Sequence, residues 1–513
     1  MLMRPGGSKR RRSAGDGFCV SWMASTSHDL GDLVRRGYRF ALSLTHDAAR
    51  ADDLIQDAWF AVLRVRGPWN RDYLFTTIRN RFIDQYRRDG RMNIGSLDEM
   101  SDAECVAEPQ SENGDEWVFS GNGALDDWRA VRAQKDALVG ELRQAKYIDL
   151  LPAYNNVAYL EGPARIADGG VAINGELIKT GKVIVATGAS PALPEISGSE
   201  DVPCLTSTTA LDLDRLPASL LVIGAGYIGC ELAQMFARAG VDVTIVCRRR
   251  LLPETEPEIS DALTGYFRDE GITVHDGIAY REIRRTDQGV ELDLEVDGSS
   301  QTIVAEKVLL AVGRRPNTAG LGLSGVGVAL AENGGIQVND RLQTTNPDIY
   351  AVGDVTGRDQ FVYMAAYGAK LAARNALNGN SDRYDATAMP RVTFTDPQVA
   401  GVGLTEADAR EHGVKVKTAI LPLTYLPRAL AARDTRGLIK LVADAATDRL
   451  VGAHILAPEG CDSIQTATLA IKHGLTTKQL ADTIFPYLTT VEGLKLAAQT
   501  FDKDVTKLSC CAG

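Results

Sequence analysis

Cys510 and Cys511 stand side by side, followed in the sequence by Ala512 and Gly513. Neighbouring thiols make a strained disulfide, because the bond needs a separation and a dihedral that adjacent residues reach poorly. The same pair suits a soft metal ion that accepts two sulfurs. Far upstream, Leu220-Leu221-Val222-Ile223 runs into Gly224-Ala225-Gly226-Tyr227-Ile228-Gly229. An apolar strand that enters Gly-x-Gly-x-x-Gly and then a helix is a dinucleotide-binding pattern. Gly224 permits the tight turn, Gly226 lets a pyrophosphate approach the backbone, and Gly229 lets the helix pack closely on the strand. The helix N-terminus then offers N–H groups to the anion. At the end of the following strand, where an acid would hold a ribose diol, the chain carries Cys247-Arg248-Arg249-Arg250. Arg248 and Arg249 suit a 2′-phosphate, so NADPH is expected rather than NADH. A nucleotide electron source and a thiol-bound metal together point to a reductase.

Three further junctions share one character. Ala186-Thr187-Gly188-Ala189-Ser190-Pro191, Ala311-Val312-Gly313-Arg314-Arg315-Pro316-Asn317 and Ile349-Tyr350-Ala351-Val352-Gly353-Asp354 each carry an apolar run into a glycine turn. Asp354, just after Gly353, is placed to accept hydrogen bonds from a ribityl chain. Periodicity sets the elements around these turns. An amphipathic helix is expected over about 126–146, and short strands over 157–160 and 183–186. A strand, turn, helix and second strand cover 219–250, with the helix over 230–239 and the second strand over 241–246. Strand-rich stretches follow at 289–312 and 336–352. The C-terminal part mixes strands (391–393, 437–442, 449–456) with helices (461–472, 477–481).

At 513 residues the chain should hold several domains. Its 44% hydrophobic and 24% charged residues are those of a globular protein. No apolar run reaches the roughly 18–20 residues of a membrane span, and the basic start is not followed by a secretory apolar core. Eight cysteines in so long a chain are no disulfide scaffold, and the cytoplasm is the expected compartment. A net charge of −11 disfavours nucleic-acid binding by the whole molecule, though not by a local basic patch.

In their order, the glycine boxes resemble those of the flavin-dependent pyridine nucleotide–disulfide reductases. Two segments resemble the mercuric reductases of that family: the tail from Phe501 to Gly513, and Phe485-Pro486-Tyr487-Leu488-Thr489-Thr490-Val491-Glu492-Gly493. Most members carry His where Tyr487 stands, paired with the later Glu as an acid–base couple; mercuric reductases carry Tyr. The resemblance covers about residues 126–513. It implies that NADPH reduces FAD, FAD reduces a buried cysteine pair, and Hg(II) receives two electrons to leave as Hg(0). It implies that Cys510 and Cys511 capture Hg(II) and pass it to the partner subunit of a homodimer. Tyr487 and Glu492 then lie near the metal, and Tyr227 packs over the flavin until NADPH arrives. Asp354 and Val362 match positions near the flavin, Ala164 matches a backbone contact to adenine, and Gly188, Gly313 and Gly353 count among the cofactor-binding residues. The family also begins with an earlier Gly-x-Gly-x-x-Gly for FAD and a helix bearing Cys-x4-Cys. Here neither precedes Cys204, and the earlier cysteines Cys19 and Cys105 stand in unrelated contexts. The expectation is therefore a largely flavin-free protein with little mercury-dependent NADPH oxidation. Apolar sheet faces should be left exposed.

Upstream, Tyr38-Arg39-Phe40-Ala41-Leu42, the run from Ala51 to Trp59, and the run from Tyr73 to Arg88 resemble region 2 of extracytoplasmic-function sigma factors. That resemblance implies contact with core RNA polymerase and with promoter DNA, where cations position phosphates and aromatics stack on unpaired bases. Met23, just ahead of this pattern, is a candidate start. The expected fold is multidomain. A disordered start (1–27) leads to an all-α bundle (28–92) and an acidic linker (93–124). An incomplete FAD domain (125–215, returning at 316–387) flanks a Rossmann-like NADPH domain (216–315). A C-terminal α+β dimerisation domain (388–513) ends the chain.

Overall fold

The computed structural model describes residues 127–505 except 297, together with Leu125 and six earlier positions. Two compact units divide the chain after Glu116. In the first unit the six described positions, Ala41, Ala51, Leu54, Ile55, Ala58 and Ile78, are helical and buried. The rest of the expected bundle, the linker, and the tail with Cys510 and Cys511 lie outside the described residues.

The second unit opens with α1 (Trp128–Arg143), capped by the Asp127 carboxylate, which accepts from the N–H groups of Arg129 and Ala130. Its start is pinned: the Trp128 indole donates to Leu213 O at 2.7 Å, and Lys135 pairs with Asp212. No residue of α1 is buried. The stretch 157–160 is not a strand: Val157 and Tyr159 are exposed, and no strand among the described residues pairs with them. A strand needs a partner for its backbone groups, which an apolar run alone does not supply. Next comes an antiparallel meander of β1 (Ala164–Ala167), β2 (Gly170–Ile173) and β3 (Glu176–Lys179). Then follow β4 (Val183–Val185), β5 (Ala189–Pro191) and the short helix α2 (Ser207–Leu211).

The nucleotide half is built on β6 (Ser219–Ile223), α3 (Tyr227–Arg238), β7 (Asp242–Val246), α4 (Pro257–Asp269) and β8 (Thr273–His275). β6 and β7 read as near-continuous apolar runs because a parallel sheet is covered on both faces. α3 starts at Tyr227, earlier than the expected 230, because Gly226 serves as its N-cap and Gly229 sits inside the first turn. A second antiparallel meander follows, β9 (Ala279–Thr286), β10 (Gly289–Val296) and β11 (Ser299–Ala305), and leads into β12 (Lys307–Leu310). β12 joins the parallel sheet in the order β12-β6-β7-β8.

The chain then returns through β13 (Arg314–Pro316), which pairs with β5, and β14 (Ile349–Ala351), which pairs in parallel with β4. The stretch 336–352 is less strand-rich than expected. Asn339 Oδ1 accepts from the N–H groups of Arg341 and Gln343, and Asn346 Oδ1 accepts from Asp348 N, so side chains take the place of a ladder. α5 (Val362–Leu377) follows.

The last domain is a five-stranded antiparallel sheet with helices packed against it. It comprises β15 (Pro390–Thr393), β16 (Gln398–Gly403), α6 (Glu406–Glu411), β17 (Val416–Pro422), α7 (Pro427–Ala432), β18 (Leu438–Asp444) and β19 (Leu450–Ala457). Then come α8 (Gly460–Lys472), α9 (Thr477–Asp482) and α10 (Glu492–Gln499). The strand order is β15-β16-β19-β18-β17. A buried cluster joins it to the nucleotide half, with Val399 and Leu456 packed among Phe236, Leu263 and their neighbours. Among the described residues no helix is long and apolar enough to cross a membrane.

Candidate functional site

Gly224 has φ +103, and a Cβ there would fall 2.4 Å from Ala311 O. A Cβ on Gly229 would fall 2.1 Å from Gly224 O. The first and third glycines are thus required by close backbone approach. Gly226 has no heavy atom of the described residues within 4 Å of its would-be Cβ, so they leave open the space beside it. At the end of β7 the side chains of Arg248 and Arg249 are exposed, and among the described residues neither pairs with a carboxylate. Arg250 turns inward instead, donating to Pro253 O at 3.2 Å and Thr255 O at 2.6 Å. Two guanidinium groups facing solvent at this strand end can meet a phosphate.

The three other glycine boxes, distant in sequence, are brought together. Asn317 N donates to Gly188 O at 2.9 Å, and Asn317 Nδ2 donates to Thr187 O at 2.9 Å. Thr187 and Ser190 hydroxyls donate back to Asn317 O and Oδ1, both at 2.8 Å. Beside them, Arg314 donates to Ala189 O and lies 3.5 Å from Asp354 Oδ2. Gly188, Gly313 and Gly353 all have positive φ, which suits glycine at these turns. In the sequence Asn317 is only the end of a box; the β5–β13 pairing is what makes it the lock between two turns.

An aromatic bridge connects this assembly to the nucleotide turn. Tyr227, the first residue of α3, meets Phe361 edge-on at 5.4 Å, and Phe361 stacks on Tyr363 at 5.3 Å. Phe361 caps α5, which begins with Val362, 82% exposed. Burial pushes the Tyr227 phenol up, Arg391 nearby works against it, and the ring stays neutral at physiological pH. Ala164 opens β1 on the exposed side of its meander.

In the last domain Glu492 heads α10 and is buried, while Tyr487 is 55% exposed. Among the described residues Glu492 Oε2 has no hydrogen-bond partner, and burial pushes its carboxyl up, with the Leu488 N–H opposing. A buried, protonation-prone carboxyl can store or deliver a proton.

The residues present fit a nucleotide at the β6 turn better than a flavin at the β4–β14 turn. The flavin side has Asp354, the acid expected to accept from a ribityl chain, and its two locked boxes. It has no strand–glycine turn–helix of its own among the described residues. Gly320-Leu321-Gly322-Leu323-Ser324-Gly325 repeats the spacing, but it leads from a loop into the 3-10 turn Leu323–Val326. The four described cysteines, Cys204, Cys230, Cys247 and Cys461, are all free thiols. Burial raises each of them, Cys247 and Cys461 to about 12, so none is a thiolate at neutral pH. The described residues do not make a complete set to hold a flavin. Among the described residues no cluster of His, Cys, Asp and Glu is arranged to hold a metal ion.

Residues 107–373 match the family described as pyridine nucleotide-disulphide oxidoreductase, and residues 389–498 match its dimerisation domain. Residues 31–92 match Sigma-70 region 2. A mercuric reductase of Staphylococcus aureus is 46% identical over 75% of this chain and 71% of its own length. One of Streptomyces lividans is 47% identical over 75% of this chain and 83% of its own. Among solved structures, the HOCl-induced flavoprotein disulfide reductase RclA from Escherichia coli is similar at 32% identity, covering 73% of this chain and 86% of that one, with a TM-score of 0.66.

Proposed function

The chain belongs to the pyridine nucleotide-disulphide oxidoreductases, and within them to the mercuric reductases, and on that premise we propose an NADPH-dependent oxidoreductase of the mercury(II) type, homodimeric, impaired at its flavin centre. NADPH is the electron source, Hg(II) the substrate, and FAD the carrier that the family supplies between them. The observation that carries the reading is the intact nucleotide turn beside three assembled glycine boxes. The chain's own residues serve the two ends of the path. Gly224, Gly226, Gly229, Arg248 and Arg249 hold NADPH; Cys510 and Cys511 hold Hg(II), with Tyr487 and Glu492 beside the transfer site. The middle is deficient, since the sequence has no Cys-x4-Cys and every described thiol is buried or half-buried. Purified protein is expected to show little absorbance near 450 nm and little mercury-dependent NADPH oxidation. It should nevertheless bind NADPH, and it should bind Hg(II) through a site that Cys510→Ala/Cys511→Ala removes. A full flavin complement with brisk turnover overturns this.

Arg248→Ala/Arg249→Ala tests the choice of nucleotide. Hydrogen bonds to a charged group contribute about 1.5–3 kcal/mol, so the NADPH dissociation constant should rise by roughly ten- to a hundredfold. The NADH constant should stay unchanged. Equal losses for both nucleotides would remove the 2′-phosphate assignment.

A second reading rests on the match to Sigma-70 region 2 and the buried helical positions of the first unit. In that reading residues 28–92 bind core RNA polymerase and promoter DNA. Co-purification of the full chain with polymerase, lost on deleting those residues, supports it.

A further inference from the structure

We propose that the last domain sets the preference for NADPH: the ion pair between Lys440 and Glu256 fixes the loop 247–255, which aims Arg248 and Arg249 at the 2′-phosphate. The proposal rests on the nucleotide reading given above and deepens it, making Glu256, Ser260 and Arg250 positioning residues of that site.

The loop 247–255 runs from β7 towards α4 and carries the two exposed guanidinium groups. Long side chains on a loop meet one phosphate reliably only if the backbone beneath them is held. Several bonds hold it. The Cys247 thiol donates to Arg249 O at 2.6 Å. Arg250 spans the loop through its bonds to Pro253 O and Thr255 O. Thr255 N donates to Leu252 O at 2.9 Å, and Leu252 N donates to Ala225 O at 2.8 Å. Ser260 Oγ, fully buried near the start of α4, donates to Leu251 O at 2.5 Å. Leu252 is buried with φ +42, a conformation that a leucine keeps only where its surroundings impose it.

The far end of this clamp lies in the other domain. Glu256 follows the loop and is the N-cap of α4. Its carboxylate meets Lys440 Nζ of β18 at 3.0 Å and accepts from Glu406 N of α6 at 2.6 Å. Its backbone carbonyl accepts from Ser260 N at 3.1 Å, and Ser260 in turn holds Leu251. Bonded groups therefore run unbroken from Lys440 through Glu256 and Ser260 to the residue just after the arginines. A buried carboxylate without its cation is driven towards water, and the loop joined to Glu256 must shift with it. The glycine turn has supports of its own, in Gly224 N bonded to Val246 O at 2.9 Å and the close approach of Ala311. Release of the clamp should therefore spoil the aim of Arg248 and Arg249 and spare what NADH and NADPH share.

The test is fluorescence titration of the full chain with NADPH and with NADH at one ionic strength. Glu256→Ala/Lys440→Met removes the link whole and leaves neither member of the pair buried without the other. Its NADPH dissociation constant should rise about fivefold or more, while the NADH constant moves less than about twofold. Ser260→Ala is uncharged and removes only the bond to Leu251; it should shift the same ratio in the same direction. Thermal unfolding of each sample shows that the variant titrated is folded, and Ser260→Ala decides alone if the double variant is not. An unchanged ratio in a folded variant overturns the proposal. So does an equal loss for both nucleotides, which marks a merely structural junction. A wild type without preference for NADPH overturns the nucleotide reading itself, and that is seen before any variant is made.

Discussion

Replacing Lys440 by Met is expected to lower the free energy of unfolding by about 3–5 kcal/mol, read as a drop in the denaturant midpoint. Lys440 lies in β18 with only 2% of its side chain exposed. Its ammonium meets Glu256 Oε2 at 3.0 Å, Glu258 Oε1 at 2.8 Å and Glu406 Oε2 at 3.0 Å. Glu256 is itself 1% exposed and also accepts from Glu406 N at 2.6 Å. His454 Nε2 stands 3.8 Å from Glu256, and burial holds the imidazole below its ordinary value, so it adds no charge at neutral pH. The single ammonium therefore holds together α4 of the nucleotide half and β18 and α6 of the last domain. Removing it leaves Glu256 buried without a cation, which is the costly way to break such a cluster.

The pH dependence has a defined sign. Burial acts to depress the Lys440 ammonium, and its hydrogen bonds to Glu258, Glu256 and Glu406 outweigh that and raise it. A raised ammonium contributes stability that is complete below its unfolded value and lost as pH climbs through the folded one. Glu406 is held low by Arg410 and Lys440, so its contribution is present above the ordinary carboxylate range and lost as pH falls. The wild-type cluster is thus weakened at both extremes. In Lys440→Met the acid limb becomes shallower, since Glu406 loses one of the two cations that hold it low. The variant should lose less stability than the wild type as pH falls through the carboxylate range. A variant with the wild-type acid limb would mean that the buried carboxylates find another cation.

The sequence was most readable where chemistry is local. A glycine turn between an apolar strand and a helix announces itself in ten residues, and the βαβ unit formed where expected. Strand–turn boxes were legible as junctions, but their convergence was not. The bonds from Asn317 to Thr187 and Gly188 join positions far apart in sequence. The Lys440 cluster was missed altogether, although a signal existed. Leu438-Ile439-Lys440-Leu441-Val442 is an apolar run that implies burial on both faces, and a lysine inside it demands carboxylates. Conversely, Val157-Ala158-Tyr159-Leu160 is an apolar run like a strand, yet it joins no sheet among the described residues, because propensity cannot create a neighbour.

The glycines of the nucleotide turn separate folding from binding. A Cβ at Gly229 would be driven to 2.1 Å from Gly224 O, a backbone atom that cannot swing aside. Gly229→Ala must push α3 off β6, and overpacking of this kind costs about 1–3 kcal/mol or more. Its thermal midpoint should fall by several degrees and its NADPH affinity should fall with it. Gly226 behaves oppositely. Its φ of −80 is open to any residue, and a Cβ there meets nothing within 4 Å. Gly226→Ala should cost the fold at most about 1 kcal/mol, the usual difference between glycine and alanine at an N-cap. The added methyl occupies the space through which a pyrophosphate would reach the α3 N–H groups, so the NADPH dissociation constant should rise at least about tenfold, or 1.4 kcal/mol. Fluorescence titration with NADPH and thermal unfolding on the same two variants distinguish the roles. If Gly226→Ala binds NADPH like the wild type, the turn is a packing device and the electron donor binds elsewhere.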